Sequence, residues 1–130
     1  MTKIILSLVF LLSSLSAELI NAYPSQEILN SKTPIVDVRT PREWKETGIL
    51  KDSIPIMFYN EKGGYNIEAF LDELNSKVDT KKPFAIVCRT GRRTSIIGAF
   101  LSQKLHYNVI NLKGGIVFAK TKNLPIVPYK

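Results

Sequence analysis

Three short apolar runs constrain the fold of this chain more than any other feature of its sequence. They are Ile35–Val38, Phe84–Val87 and Val109–Leu112. Each run is nearly continuous rather than alternating, which is typical of strands that are buried on both faces. Because segments with helical spacing separate the runs, the sequence predicts an α/β fold, a mostly parallel sheet with helices on both faces.

The predicted helices begin at residues that commonly cap helices. Thr40 precedes Pro41 and is followed three positions later by Glu43, which predicts a capping box with a proline in the first turn. Thr94 is expected to cap a later helix with its hydroxyl. The predicted helices are Gln26–Asn30, Pro41–Glu46, Asn66–Lys77, Thr94–Leu105 and Ile116–Lys120.

Two proline-containing segments are expected to be less regular. Ser53–Tyr59 is apolar, but Pro55 favours an edge strand or a short irregular one, because proline has no backbone N–H to donate. The tail, Asn123–Lys130, holds two prolines and is expected to be extended.

The N-terminus resembles an export signal. Lys3 is followed by the apolar run Ile4–Leu12 and then by the small residues of Ser13–Ala17, the order found in secretory signal peptides. The apolar run is shorter than the roughly 20 residues that span a bilayer. We therefore expect residues 1–17 to be a cleaved signal peptide, with cleavage after Ser16 or Ala17, and residues 18–130 to form one periplasmic domain. An uncleaved or lipid-associated tether is the alternative, and membrane contact is otherwise not expected.

Charge and cysteine content narrow the function classes. The formal net charge of +7 attracts anions, which include nucleic acids, small inorganic anions and acidic proteins. The arginines concentrate in one loop and no stacking aromatics are interleaved with them, so we expect no nucleic-acid partner. One cysteine and one histidine are too few for a structural zinc site, and no metal is predicted.

The loop Cys88–Thr94, with the sequence CRTGRRT, is the candidate functional site. It follows an apolar strand and opens onto a helix, where successive backbone N–H groups can converge on an anion. Gly91 permits backbone angles that other residues avoid. A helix N-terminus and neighbouring cations favour the thiolate form of a cysteine. The alternative is a buried structural cysteine, but placing Arg89, Arg92 and Arg93 beside a neutral buried thiol would be costly without an anion.

The order of these segments resembles the rhodanese family over essentially all of residues 18–130. Ile35–Trp44 is similar to the first strand of that family and its D-x-R…E-[WYF] segment, and Cys88–Thr94 is similar to its active-site loop. Leu112–Gly115 and Leu124-Pro125 are similar to its closing segments. Gly48–Ser53 stands where many members have G-H-I-x-G-A, so the usual histidine is absent.

The resemblance implies a three-layer rhodanese-like sandwich and a sulfurtransferase that needs no cofactor. Cys88 would be the catalytic nucleophile, taking sulfur from a thiosulfate-like anion and passing it to cyanide or a thiol. Asp37 and Arg39 would support the loop structurally, and Arg93 is expected to face partly outward or to pair with an acid. The expected substrate-binding residues are Arg89, Thr90, Gly91, Arg92, Arg93 and Thr94.

Two other functions remain open at this stage. A non-catalytic sulfur carrier or interaction module would have the same loop chemistry. A cysteine-based phosphatase or arsenate reductase is less favoured, because the Cys-x5-Arg pattern of such enzymes needs arginine where Thr94 stands.

Overall fold

The computed structural model describes residues 17–130 and places seven strands and five helices in that span. Most of the predicted signal peptide lies outside the described residues, so export stays a prediction. The strands are β1 (Leu19–Ala22), β2 (Ile35–Asp37), β3 (Ile49–Leu50), β4 (Ile54–Pro55), β5 (Phe84–Val87), β6 (Val109–Leu112) and β7 (Ile126–Val127). The helices are α1 (Gln26–Asn30), α2 (Pro41–Thr47), α3 (Ile67–Lys77), α4 (Arg92–Leu105) and α5 (Gly115–Thr121). Within this span, no helix is both long and apolar enough to cross a membrane.

Five of the strands form one parallel sheet in the order β1-β6-β5-β2-β4. β4 lies at an edge of this sheet, as the presence of Pro55 predicted, because an edge strand can leave one side unpaired. β3 and β7 form a separate antiparallel pair, in which Ile49 lies opposite Val127. Within the tail, which was expected to be extended, Ile126 and Val127 therefore form a paired strand.

The central strand β5 shows why helices cover both faces of the sheet. Phe84 and Ile86 belong to one hydrophobic core, and Ala85 and Val87 belong to another on the opposite face. The helix residues in these cores are Phe70, Leu74, Ile97 and Leu101 on the first face and Ile116 and Ala119 on the second, against which the partly buried Ile28 and Leu29 pack. Helices α3 and α4 therefore cover one face and α1 and α5 the other, which confirms the predicted three-layer α/β architecture.

Two features of the elements differ from the sequence expectations. β1 was not predicted, because Leu19–Ala22 is a short segment at the sheet edge and is half exposed. Its pairing with β6 comes from tertiary contact, including a hydrogen bond from the Asn111 amide to Asn21 Oδ1 at 2.9 Å.

The prediction that Thr94 caps a helix is wrong. Helix α4 begins at Arg92, and Gly91 is the N-cap residue, with φ of 94° and no side chain to accept a hydrogen bond. Thr94 therefore lies inside the first turn and is buried. Its hydroxyl points back and donates to the Gly91 carbonyl at 3.3 Å.

Candidate active site

Cys88 directly follows β5 at the carboxyl edge of the parallel sheet, where ligands of such sheets commonly bind. Its side chain is almost fully buried, with 1% relative exposure. The Gly91 N–H donates to Cys88 Sγ at 3.2 Å, and Thr94 Oγ1 lies 3.6 Å from the same sulfur. The sulfur is thus held by a backbone donor and a hydroxyl within its own loop.

The N-terminus of α4 has no side-chain cap. The first N–H groups of any α-helix lack partners inside the helix, and they are the positive end of the helix dipole. Because Gly91 brings no acceptor, the first turn of this 14-residue helix keeps donors that can meet an anion beside Cys88.

The three arginines of the loop divide into one paired residue and two free ones. Arg93 makes a bidentate ion pair with Glu43, with Nη1–Oε1 at 2.7 Å and Nη2–Oε2 at 2.8 Å. The expectation that Arg93 pairs with an acid is therefore confirmed. Arg89 and Arg92 are exposed, and within residues 17–130 neither has a carboxylate at ion-pair distance. Their guanidinium groups are available to a ligand.

The ion pair keeps both of its partners charged. Burial raises the pKa of Glu43, but hydrogen bonds from Arg93 and from the Thr40 N–H outweigh that effect and leave the pKa below its ordinary value. The hydrogen bond to Glu43 raises the pKa of Arg93, and the nearby charge of Cys88 raises it further. Arg93 is therefore a fixed cation close to the sulfur.

Asp37, at the end of β2, and Arg39, just after it, are both completely buried. Arg39 Nη2 donates to Asp37 Oδ2 at 2.8 Å and to the Gly48 carbonyl at 2.8 Å, and Nη1 donates to Thr47 Oγ1 at 2.7 Å. Asp37 pairs in register with Val87, the residue before the candidate nucleophile. Arg39 thus fixes the end of α2 against β2, the strand that pairs with β5.

Gly115 is a residue whose contribution to the site the sequence reasoning missed. The N–H groups of Ile116 and Val117, at the start of α5, donate to the carbonyls of Cys88 and Arg89 at 2.9 and 3.1 Å. A β-carbon on Gly115 would collide with both carbonyl oxygens, and φ there is 59°. The glycine pair at the end of Leu112–Gly115 was the available signal, but it does not show which segment lies against it.

A surface pocket of about 480 Å³ opens beside the loop. It lies between α2, the segment after β4 and the loop that carries Cys88. Its lining residues are Thr40, Arg42, Glu43, Glu46, Asn60, Glu61, Arg89 and Arg93.

The structure therefore brings Cys88, Gly91 and Thr94 into direct contact and places the other predicted loop residues around them. Thr90 is exposed on the same turn. His106 is exposed at the C-cap of α4, about 20 Å from the start of that 14-residue helix. Among residues 17–130, no group of His, Cys, Asp and Glu side chains could hold a metal ion.

Comparisons with known proteins point to one family for this chain. The profile described as Rhodanese-like domain matches residues 19–119. A Rickettsia prowazekii protein named Uncharacterized protein RP600 is 36% identical over 91 residues, covering 68% of this chain and 72% of that protein. An Allochromatium vinosum protein named Sulfurtransferase is 29% identical over 93 residues, covering 72% and 77% of the two chains.

The fold has counterparts among solved structures. The crystal structure of a rhodanese-like domain protein from Staphylococcus aureus superposes with a TM-score of 0.59 at 23% identity, covering 85% of this chain and 98% of that one. The profile match covers most of the sequence, and the parallel sheet with the cysteine loop at its edge points to the same family. The chain belongs to the rhodanese-like domain family, a family of sulfurtransferase-like proteins.

Proposed function

We propose that this protein is a sulfurtransferase that moves a sulfane sulfur from thiosulfate or a persulfide donor to cyanide or a thiol through a persulfide on Cys88. One observation carries the proposal. Cys88 Sγ accepts a hydrogen bond from the Gly91 N–H at the start of an uncapped helix, beside Arg89 and Arg92, which have no ion-pair partner among residues 17–130. This arrangement stabilises a sulfur anion and an oxyanion leaving group together.

In the first half-reaction, the Cys88 thiolate attacks the outer sulfur of thiosulfate. The bond between the Cys88 sulfur and the outer sulfur forms while the bond inside thiosulfate breaks, and the electron pair of that bond leaves with sulfite. Arg89 and Arg92 bind the donor anion and then the departing sulfite. No proton needs to move, and the product is an anionic persulfide on Cys88.

In the second half-reaction, the acceptor attacks the outer sulfur of the persulfide. Cyanide takes that sulfur as thiocyanate, or a thiolate takes it as a new persulfide, and the electron pair returns to the Cys88 sulfur. The Gly91 N–H that holds this sulfur in the resting protein stabilises it again as a leaving thiolate.

The burial of Cys88 fits a protected intermediate. With 1% of Cys88 exposed, bulk water has little access to its sulfur, which limits hydrolysis and side reactions. The same burial is the observation that favours the second candidate, a sulfur carrier that is loaded and unloaded only by a partner protein.

The position of Thr94 argues against phosphatase or arsenate reductase activity. It occupies the place of the phosphate-binding arginine in a Cys-x5-Arg loop, and its hydroxyl contacts the sulfur at 3.6 Å. The neighbouring Arg93 is already held by Glu43 at 2.7 Å. The loop therefore offers no unpaired arginine at the position where bidentate phosphate binding is needed.

We also propose that the protein acts in the periplasm after removal of residues 1–17. This rests on the order of charged, apolar and small residues at the N-terminus. The mass of the protein recovered from the periplasmic fraction tests it. A mass that starts at Ala17 or Glu18 supports export, and an intact chain in the cytoplasm contradicts it.

Steady-state transfer of sulfur from thiosulfate to cyanide tests the function. Cys88→Ser should abolish turnover while the thermal unfolding midpoint stays close to that of the wild type. Arg92→Ala should raise the KM for thiosulfate by about tenfold, which corresponds to about 1.4 kcal/mol of lost binding. Lys104→Ala, at the far end of the same helix, is the control and should leave the KM unchanged.

Turnover that survives in Cys88→Ser would contradict the proposal. Wild-type protein that binds sulfur from a persulfide donor but never turns over would favour the carrier function instead.

A further inference from the structure

The pocket beside the cysteine loop is larger than the proposed inorganic substrates require. Its volume of about 480 Å³ falls within the roughly 300–1,000 Å³ of pockets that bind small organic molecules. Arg89, the residue after the candidate nucleophile, forms part of its wall, and so does Arg93. Cys88 itself does not line the pocket, so a molecule bound there is adjacent to the nucleophile through its chain neighbour Arg89.

Most of the charges in the pocket wall are already paired. Arg42 Nε lies 3.0 Å from Glu46 Oε1, and Arg93 is paired with Glu43. Two opposite charges remain without an ion-pair partner among residues 17–130. They are the guanidinium of Arg89 and the carboxylate of Glu61. Arg42 is held by its hydrogen bond to Glu46, and the more distant charge of Glu61 adds a smaller attraction that also raises the pKa of Arg42.

Glu61 lies on a short turn whose backbone is well fixed. Asn60 Oδ1 accepts hydrogen bonds from the N–H groups of Lys62 and Gly64 at 3.0 and 2.9 Å. The Asn60 N–H donates to the Gly64 carbonyl at 2.8 Å. The turn therefore holds the Glu61 backbone against the pocket, on the segment after β4, while Arg89 lies on the cysteine loop.

We propose that the sulfur acceptor is a small zwitterionic thiol, whose carboxylate binds Arg89 and whose ammonium group binds Glu61. This inference rests on the proposed sulfurtransferase function and names the acceptor class for it. The acceptor thiolate attacks the outer sulfur of the Cys88 persulfide, a new sulfur–sulfur bond forms on the acceptor, and the electron pair of the broken bond returns to Cys88. The sulfane sulfur moves without any external oxidant or reductant.

A singly charged thiol would leave one of these two groups without a partner, and a neutral thiol would leave both. An acceptor with both charges uses both groups, and it also orients its thiol with respect to the loop. Both side chains are exposed, so each contact is expected to change the rate by a factor of about three to five, as measured surface ion pairs do.

Single-turnover discharge of the persulfide tests the inference. The protein is loaded with thiosulfate, freed of excess donor and mixed with one acceptor, and the loss of the added sulfur is followed by intact mass. The acceptors are L-cysteine with both charges, 3-mercaptopropionate with only the carboxylate, 2-aminoethanethiol with only the ammonium group, and 2-mercaptoethanol with neither. Rates are compared at equal thiolate concentration, because the acceptor thiols differ in pKa.

L-cysteine should react about three to five times faster than either singly charged thiol, and faster still than 2-mercaptoethanol. Glu61→Gln should reduce the preference for L-cysteine over 3-mercaptopropionate to about one. The matched control is Glu68→Gln, an exposed residue in the first turn of α3 that does not line the pocket, and it should keep the full preference. The discharge rate with cyanide serves as the reference for every variant.

The outcomes separate this inference from the function on which it rests. If thiosulfate adds no sulfur to Cys88, the proposed function fails and the inference fails with it. If the persulfide forms and cyanide removes it, but the four thiols react alike or the preference survives Glu61→Gln, the inference alone is overturned. The function then stands with a different acceptor, such as a protein thiol.

Discussion

The turns that follow β2 and β5 lie at the same edge of the sheet and both lead into a helix, but the N-termini of the two helices are capped differently. After β2, Thr40 Oγ1 accepts the N–H of Glu43, and the Glu43 carboxylate accepts the N–H of Thr40. After β5, Gly91 stands at the equivalent cap and supplies no acceptor. The N-terminus of α2 is capped by its own side chains, and the N-terminus of α4, beside Cys88, has no side-chain cap.

The charges in the two turns follow the same division. In the first turn, Arg39 and Asp37 are completely buried and satisfy each other. In the second turn, Arg89 and Arg92 are exposed and unpaired within residues 17–130. The Glu43–Arg93 ion pair joins the two turns. The first turn is therefore built as a support and the second as a binding loop.

Removing the buried cation should have the largest effect on stability. Arg39→Ala would leave Asp37 as an uncompensated buried carboxylate, so we expect the free energy of unfolding to fall by about 3–5 kcal/mol in urea titrations. Arg42→Ala, which breaks the exposed pair with Glu46, is the control and should change it little. A loss below about 1 kcal/mol for Arg39→Ala would show that the first turn is not a rigid support.

Gly115→Ala should damage the second turn specifically. The added β-carbon collides with the carbonyls of Cys88 and Arg89 and disfavours the positive φ, so we expect a loss of about 2 kcal/mol and a marked fall in sulfur transfer. Gly63→Ala has a positive φ of 82° but no atom within 4 Å of the new carbon. It should therefore lose less stability and keep its activity. Equal effects of the two substitutions on stability and activity would show that Gly115 does not support the site.

Thr40→Ala tests whether the capped N-terminus of α2 also supports the uncapped N-terminus of α4. Loss of the N-cap side chain of α2 should lower the free energy of unfolding by about 1 kcal/mol. Because Thr40 also orients Glu43, the variant should raise the KM for thiosulfate. Asn66→Ala removes a comparable cap from α3 and should lower stability similarly without changing the KM. An unchanged KM in Thr40→Ala would mean that the two turns act independently.

The smallest expected effect is the pH dependence of the Glu43–Arg93 pair. Hydrogen bonds outweigh burial and lower the pKa of Glu43 in the folded protein, so its contribution is present above the ordinary glutamate pKa and is lost as the pH falls through the folded value. The two side chains are 27% and 22% exposed and solvent partly screens the pair, so we expect a contribution below about 1 kcal/mol.

Urea titrations from neutral pH down to about pH 3 measure that contribution, since this window spans the ordinary carboxylate range. Glu43→Gln should make the acid-side loss of stability shallower than in the wild type, and Glu68→Gln should not. Parallel curves for Glu43→Gln and the wild type would show that the ion pair does not link the two turns energetically.

Much of the fold was predictable because local patterns and tertiary packing agree. The apolar runs that became β2, β5 and β6 are long enough to reveal burial on both faces, and the Thr40 capping box was found with its partner Glu43. β1 and the two-residue strands β3 and β7 were not predictable. Their pairing depends on tertiary contact, as in the pairing of Ile49 with Val127 across the chain.

The site was predictable where one loop carries it and not where distant segments meet. The position of Cys88 and the role of Gly91 in a strained turn follow from the CRTGRRT segment. The choice of Glu43 as the partner of Arg93 does not, because 50 residues separate them in the chain. The contact of Gly115 with the loop carbonyls likewise comes from α5 docking behind the loop, which no local pattern shows. Thr94 was misplaced because its residue type is also common at caps.

The intact mass of the protein after exposure to thiosulfate, with Cys88→Ser as the comparison, tests the role of Cys88 most directly. The wild-type protein should gain the mass of one sulfur atom, cyanide should remove it, and Cys88→Ser should gain nothing. No added sulfur on the wild-type protein, or the same addition on Cys88→Ser, would show that the turn after β5 does not hold a sulfur anion on Cys88.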